Sequence, residues 1–183
     1  MGLIKDTISE RTFDFQTIFG PSFKEKPLDE EEWQSFIKNI RGEKCMELAN
    51  LWYNKACLAE GVPQCSDFSF EELVKFGTNI FIAKQQDEGR WMTTFCGSEV
   101  VEKTGFDSTG KYLDEIATDG MLEYWKNNFK KLVTKVNVYI EYFTLEFANR
   151  NYTHCTRINF PIRSSEIDLI DTVLAFDHFS IKS

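Results

Sequence analysis

The sequence predicts an α+β fold in which a bent antiparallel sheet cups its helices. Two apolar strand-length runs, 79–83 and 90–96, flank a turn at 85–89 and form a hairpin. Residues 118–133 then have the apolar spacing of one long core helix. Three long stretches, 136–147, 152–162 and 171–179, close the chain with turns at 149–151 and 163–167. We therefore expect five strands, the last three forming an antiparallel meander.

The first part of the chain lacks this strand pattern and is predicted to be an extension of the main domain. Residues 1–28 mix aromatic and charged side chains without a clear period, which predicts an extended or partly helical arm. The acidic residues from Asp29 onward favour the start of a helix, which ends near 41–42. A second helix follows and ends before 61–63. We divide the chain into an arm with helices at 1–75 and the main domain at 76–183.

The second helix is apolar around much of its circumference, which predicts packing on more than one surface. One interpretation is a homodimer, and the other is plain core packing. The apolar residues proposed for the dimer surface lie on both helices: Trp33, Phe36, Ile40, Leu48 and Trp52.

Composition limits the classes of function. The 183 residues are 42% hydrophobic and carry a net charge of −8, with no cluster of lysine or arginine, so nucleic acid is not an expected partner. No apolar stretch is long enough to span a membrane, and the start has no signal core. Five scattered cysteines fit free thiols, and we expect a cytoplasmic protein without a membrane partner.

The segment 105–111 has the glycine and lysine spacing of a phosphate-binding loop, but its context is wrong. Tyr112 stands where the motif needs a serine or threonine, and Asp107 places a negative charge in the anion cradle. The preceding residues 98–104 form one short helix instead of a buried strand, so Gly105 is expected to end that helix. This segment needs another explanation.

The element order from 79 onward resembles a PAS domain, a five-stranded antiparallel sheet that cups its helices. Short matches in the same order resemble a bacterial subfamily, covering about residues 45–180, with D-x-T-G-[RK]-x-L at its centre. The matched pieces are Leu51-Trp52, Gly61-Val-Pro63, Ser66-Asp67-Phe68, Glu72-Leu73, Phe95-Cys-Gly97, the helix Ser98 to Thr104, Gly105 to Glu115, Arg157 and Phe160-Pro161-Ile162.

The resemblance explains the glycines as corners of a loop. Gly105 and Gly110 allow positive φ, while Asp107 and Thr109 bond nearby amides. Lys111 is then an exposed lysine, and Tyr112 and Leu113 point inward over the cup.

Related PAS domains bind flavin, haem or small metabolites, or bind nothing. No N-C-R-F-L-Q run is present, so flavin–cysteine photochemistry is not expected. The long helix has no histidine, so haem is not expected either. The cofactor is therefore unknown, and no metal site is predicted. Trp91, Thr93 and Phe95 are expected on one strand face. A small-ligand pocket or a filled aromatic core remain the two interpretations, and the candidate lining is Trp91, Thr93, Phe95, Tyr112, Trp125, Phe129, Tyr142 and His154.

No arrangement of nucleophile and base is recognisable, so an enzyme is not expected. The carboxylates Glu141, Glu146, Asp168 and Asp171 read as solvated charges on strands or turns. The chain ends soon after the last predicted strand, so we expect a stand-alone sensory or interaction module that acts on a signalling protein in trans. The alternative is a small-molecule-binding protein or enzyme with a cup-like fold.

Overall fold

The structure is a computed structural model that describes residues 16–22, 29–86, 89–117, 119–147, 150–164 and 169–181. The predicted arm at 1–15 and 23–28 lies outside the described residues, as do Thr118 and parts of the three predicted turns (87–88, 148–149 and 165–168).

One antiparallel sheet forms the centre of the molecule, with strand order β1-β4-β5-β6-β2-β3. It contains a hairpin, a helical crossover and a three-stranded meander, so the predicted α+β, PAS-like fold is confirmed. The strands are β1 (Gln16–Ser22), β2 (Ile80–Gln85), β3 (Trp91–Cys96), β4 (Asn137–Phe147), β5 (Arg150–Arg163) and β6 (Ile170–Ile181).

The predicted count of five strands is wrong by one, because β1 pairs with the free edge of β4. Ile18 and Phe19 point to opposite sides of the sheet, so β1 shows no apolar and polar alternation in the sequence. Gly20 and Pro21 within it also argue against a strand, although a proline is tolerated on an edge strand such as this one.

The helices lie on both faces of the sheet. Asp29 caps the first helix by accepting from the backbone N–H groups of Glu31 and Glu32, at 2.8 and 3.1 Å. The helices are α1 (Glu30–Ile37), α2 (Glu43–Leu58), α3 (Phe70–Leu73), α4 (Ser98–Thr104), α5 (Leu113–Ile116) and α6 (Asp119–Lys135), with 3-10 turns at Cys65–Asp67 and Val74–Asn79.

Helices α1 and α2 pack on one face of the sheet, which we call the outer face. The Trp52 ring stacks on Phe160 with centroids 5.5 Å apart, and its Nε1–H donates to the carbonyl of Pro161 at 3.0 Å. The five residues proposed for a dimer surface are therefore buried in this chain's own core: Trp33, Phe36, Ile40, Leu48 and Trp52. Their wide apolar arc is covered by the sheet, as the core-packing interpretation describes.

Helix α6 covers the other face, which we call the cup face. Phe129 meets the edge of Trp91 with centroids 4.9 Å apart, and Leu132 and Tyr139 belong to the same core group. The outer-face core group contains residues from both sides of position 75. The proposed division of the chain between 1–75 and 76–183 stays a prediction.

Candidate functional site

Three neighbouring strands bring charged side chains into register on the cup face. Glu141 on β4 lies opposite Arg157 on β5, and Arg157 lies opposite Asp177 on β6. Opposite residues of an antiparallel pair share one face, so the three side chains form a row across the sheet. This row lies beneath helix α6 and is buried.

Arg157 and Asp177 form a two-pronged ion pair. Arg157 Nε donates to Asp177 Oδ1 at 2.6 Å, and an Nη donates to Oδ2 at 2.7 Å. Phe81 and Phe143 flank the guanidinium at 5.1 and 5.4 Å. Burial alone would lower the pKa of Arg157, but the Asp177 carboxylate raises it above its usual value, so the pair remains charged.

Glu141 is also buried, at 1% exposure, but its surroundings favour the neutral form of the side chain and not the charged form. Asn159 Nδ2 donates to its Oε2 at 3.0 Å. Burial raises the pKa of Glu141, and the nearby Arg157 guanidinium offsets only part of that effect. The expectation that Glu141 and Asp171 are solvated charges is wrong: both are buried, because helices cover both faces of the sheet. Of the other two carboxylates, Asp168 and the side chain of Glu146 lie outside the described part of the structure.

Five buried polar atoms on or above the cup face have no hydrogen-bond partner among the described residues: Thr93 Oγ1, Trp125 Nε1, Asn128 Nδ2, Tyr139 Oη and Glu141 Oε1. Each such atom costs about 1–3 kcal/mol when it remains unpaired. Native structures contain few of them, and a bound molecule or ordered water is the usual explanation. Tyr139 and Glu141 lie on β4 and Trp125 and Asn128 on α6, whereas Thr93 lies on β3, which β5, β6 and β2 separate from β4 in the sheet.

Electrostatic coupling connects part of this cluster. Burial raises the pKa of Tyr139 well above its usual value, and the Glu141 carboxylate raises it further. The Tyr124 hydroxyl on α6 hydrogen-bonds Thr17 of β1, and the Glu141 carboxyl and the Asn128 amide lie close enough to this hydroxyl to shift its pKa. Strand β1, which the sequence did not predict, thus contributes to the cluster that lies under α6.

The structure brings together four of the eight predicted lining residues. Trp91, Thr93, Trp125 and Phe129 lie on the cup face or on the helix that covers it. Tyr112 lies at the rim, where its backbone bridges to Met92 and its ring stacks with Arg90 at 3.7 Å.

The remaining three predicted lining residues lie on the outer face. A bulge at Thr94 separates the pair Ala83–Thr93 from the pair Ile82–Phe95. This extra residue turns Phe95 away from Trp91 and Thr93, leaving it 43% exposed, so the prediction that the three share one face is wrong. Tyr142 and His154 lie opposite Thr156 and Thr144, respectively, also on the outer face.

Sequence reasoning missed the polar members of the cluster: Tyr139, Glu141, Asn128, Arg157, Asn159 and Asp177. A usable signal was present in β4, where Glu141 stands between Ile140 and Tyr142 in a predominantly apolar strand. A charge with apolar residues on both sides in a central strand indicates burial and a partner.

The segment 105–111 forms a compact corner beside the cup. Gly105 ends α4 with φ +75°, Gly110 has φ +76°, and the Asp107 carboxylate accepts from the Thr109 N–H at 2.9 Å. The Gly110 N–H donates to the Thr93 carbonyl at 2.8 Å, which attaches this corner to β3 next to the bulge. Lys111 is exposed and is followed only by the four-residue helix α5, unlike the lysine of a phosphate loop.

Within the described residues, no three His, Cys, Asp or Glu side chains are arranged to hold a metal ion. No helix of the described part is long and apolar enough to cross a membrane.

Neither a protein-family model nor a curated protein matches the sequence. Among solved structures, the chain is similar to one entitled "Structure of an RNA-binding Light-Oxygen-Voltage Receptor", with 7% identity and a TM-score of 0.44. The similarity covers 91% of this chain and 38% of that chain, so this protein spans well under half the length of that receptor. At this identity and TM-score, the likeness carries no information about function.

Proposed function

We propose that this protein is a PAS-type sensory module that binds a small polar ligand in its cup. The observation that supports it is a set of five buried polar atoms without partners, four of them on β4 and α6 and the fifth on β3. A filled aromatic core does not require them, and each is a free energy cost unless something satisfies it. Apolar walls with a few converging polar groups are typical of small-ligand sites.

The polar atoms also indicate the character of the ligand. Trp125 Nε1 and Asn128 Nδ2 are donors, the hydroxyls of Thr93 and Tyr139 act either way, and Glu141 Oε1 accepts when ionised. Arg157 is already paired with Asp177, and burial favours the neutral form of Glu141. An uncharged ligand with both hydrogen-bond donors and acceptors fits this site best.

We further propose that the signal passes to another protein chain, a homodimer partner or a signalling protein in trans. Large apolar side chains stand exposed on α2 and the segment after it, and the most exposed of them are Leu58 (83%), Phe70 (77%) and Val74 (55%). Ion pairs Lys55–Glu72 and Lys75–Glu47 hold these two segments together, at 2.8 and 2.7 Å. A cytoplasmic role in bacterial signalling, without nucleic acid, follows from the motif resemblance and the charge of −8.

A pair of Tyr→Phe substitutions tests the ligand proposal. Tyr139→Phe removes an unpaired cup hydroxyl, and Tyr53→Phe is the matched control, because it removes a hydroxyl from α2 outside the cup. Thermal unfolding is measured with a library of uncharged polar metabolites. We expect at least one compound to raise the Tm of the wild type and of Tyr53→Phe, and to raise that of Tyr139→Phe much less.

Without ligand, Tyr139→Phe should unfold at the same temperature as the wild type or higher, because the unpaired hydroxyl is lost. A library in which no compound raises the wild-type Tm, or one whose active compounds stabilise Tyr139→Phe equally, would contradict ligand binding at this cluster.

The alternative is a small-molecule enzyme, and one observation favours it. Glu141 is buried and has a raised pKa, which are the properties of a general acid or base. Mass spectrometry of the bound compound after incubation separates the two functions. A compound recovered unchanged supports the sensor, whereas conversion that stops in Glu141→Gln supports the enzyme.

A further inference from the structure

The outer face of the sheet divides into an apolar half and a polar half. On β5 the apolar residues Ile158, Phe160 and Ile162 lie under α1 and α2 and belong to the core. Towards the other end of β4 and β5, the same face carries Tyr142, Thr144, His154 and Thr156. The polar side chains thus begin where the apolar, helix-covered half of the face ends.

An open cleft of about 300 Å³ lies over this polar half. Its volume is at the lower end of the range for small-ligand sites. It is lined by residues from the sheet and from the loop between α1 and α2: Gln16, Arg41, Tyr142, Phe143, Thr144, His154, Cys155 and Thr156. The cleft is on the sheet face opposite the cup, so it is separate from the site proposed above.

Arg41 supplies a guanidinium that no described carboxylate neutralises. Its guanidinium carbon lies 5.2 Å from the centre of the Tyr142 ring, and it forms no ion pair with the described residues. The Tyr142 hydroxyl donates to the carbonyl of Asn39, which holds the ring in place beneath the guanidinium. The donors of Arg41 are therefore positioned beside the cleft and available to an anion.

His154 lies on the strand next to Tyr142 and contacts the same cleft. Its Nδ1 is 3.1 Å from Thr144 Oγ1, and this hydrogen bond fixes the ring. When the Thr144 hydroxyl donates to Nδ1, the proton of the neutral ring is on Nε2, which then acts as a donor. Thr156 on the same strand adds a buried hydroxyl to the lining.

The cleft has no acidic residue among the eight that line it, although the chain has 29 acidic residues and a net charge of −8. A cleft that combines guanidinium, imidazole, amide and hydroxyl groups without carboxylates is suited to an anionic group. We propose that it binds the carboxylate or phosphate group of a small molecule, with Arg41 and His154 as the principal contacts.

Amide chemical shifts of the full chain test this site during titration with citrate and, separately, inorganic phosphate at constant ionic strength. Saturable shifts are expected at Thr144, His154 and Thr156, and the anion with the tighter Kd identifies which group the site prefers. Arg41→Gln should weaken binding by about tenfold or more, the effect of losing a charge-assisted hydrogen bond. Arg41 is exposed, so this variant should fold.

Lys44→Gln is the matched control, because it removes one exposed positive charge from the nearby start of α2. Its Kd should remain within about twofold of the wild type, since screened surface charges contribute little. The proposal fails if neither anion gives saturable shifts, if the shifts map to the cup, or if Lys44→Gln weakens binding as much as Arg41→Gln.

Discussion

At the scale of single residues, two carboxyl groups on one sheet face have opposite electrostatic roles. Asp177 accepts two hydrogen bonds from Arg157 and is the counter-ion of a paired charge. Glu141 lies on the other side of the same guanidinium but is bonded by the neutral amide of Asn159, so burial raises its pKa. The two carboxyl groups differ because the Arg157 guanidinium bonds Asp177, whereas Glu141 accepts from the neutral amide of Asn159.

The raised pKa of Glu141 predicts how stability depends on pH. In the folded state the ionised form is disfavoured, so its contribution is complete below the ordinary pKa of 4.5 and is lost as pH rises through the folded value. Glu141→Gln cannot ionise, and its stability advantage over the wild type should therefore increase from pH 4.5 upward. Urea unfolding across this range measures the difference.

Asp114→Asn provides the control of opposite sign. Arg90 lowers the pKa of Asp114, so the carboxylate stabilises the fold above its ordinary pKa of 3.8 and loses this effect as pH falls. At pH 7 Asp114→Asn should be less stable than the wild type, whereas Glu141→Gln should be more stable. Equal and pH-independent effects of the two variants would contradict the assignment of Glu141.

The buried ion pair makes a second prediction at this scale. Arg157→Met leaves Asp177 charged and without its partner, which should cost about 3–5 kcal/mol of unfolding free energy. The double variant Arg157→Met with Asp177→Leu removes both charges and should recover most of that loss. Urea unfolding of both proteins measures this, and a double variant as unstable as the sum of its single variants would be the contrary result.

The sequence alone predicts the aromatic part of the candidate site better than its polar part. Trp91 and Phe129 follow from apolar periodicity, which places them on core faces. Periodicity alone could not assign Glu141 and Tyr139 to the cup, because burial of both faces of β4 depends on helices distant in the chain. Periodicity shows which residues share a face, but it does not show what covers that face.

At the scale of elements, local signals predict the helices well and the strand irregularities poorly. The short helix Ser98–Thr104 is found as expected, since it is followed by a glycine that adopts positive φ. The bulge in β3 depends on its pairing with β2 and has no composition signal in Trp91 to Cys96. Because Thr94 is the extra residue of this bulge, Phe95 points away from the cup.

The junction between β3 and α4 gives a prediction about close packing. A Cβ on Gly97 would lie 2.4 Å from the backbone oxygens of Gly77 and Thr78, which cannot move as a flexible side chain can. Gly97→Ala should therefore cost about 1–3 kcal/mol of stability, the usual range for overpacking. Thermal or urea unfolding measures the loss.

Gly120→Ala is the matched control, because a Cβ on Gly120 would meet no atom within 4 Å and the residue lies in helix α6. This substitution should be neutral or slightly stabilising, since alanine favours the helix. A Gly97→Ala protein as stable as Gly120→Ala would show that the β3–α4 junction can relax.

At the scale of the whole molecule, helices pack on both faces of one sheet, and the sheet separates two polar regions. The hairpin, helical crossover and meander follow from the order of patterns along the chain. The assignment of α1 and α2 to the outer face does not, because a wide apolar arc fits either a partner or the chain's own sheet. Burial of Trp33 and Trp52 resolves this for the described fold, while Leu58, Phe70 and Val74 remain exposed.

Native mass spectrometry of the protein purified from its own host tests ligand binding in the cup most directly. The account predicts a species heavier than the 21.4 kDa chain by one small molecule, lost on denaturation and depleted in Tyr139→Phe but retained in Tyr53→Phe. A wild-type spectrum with only the bare chain mass or its multiples, together with a Tyr139→Phe protein of unchanged or higher stability, would contradict it.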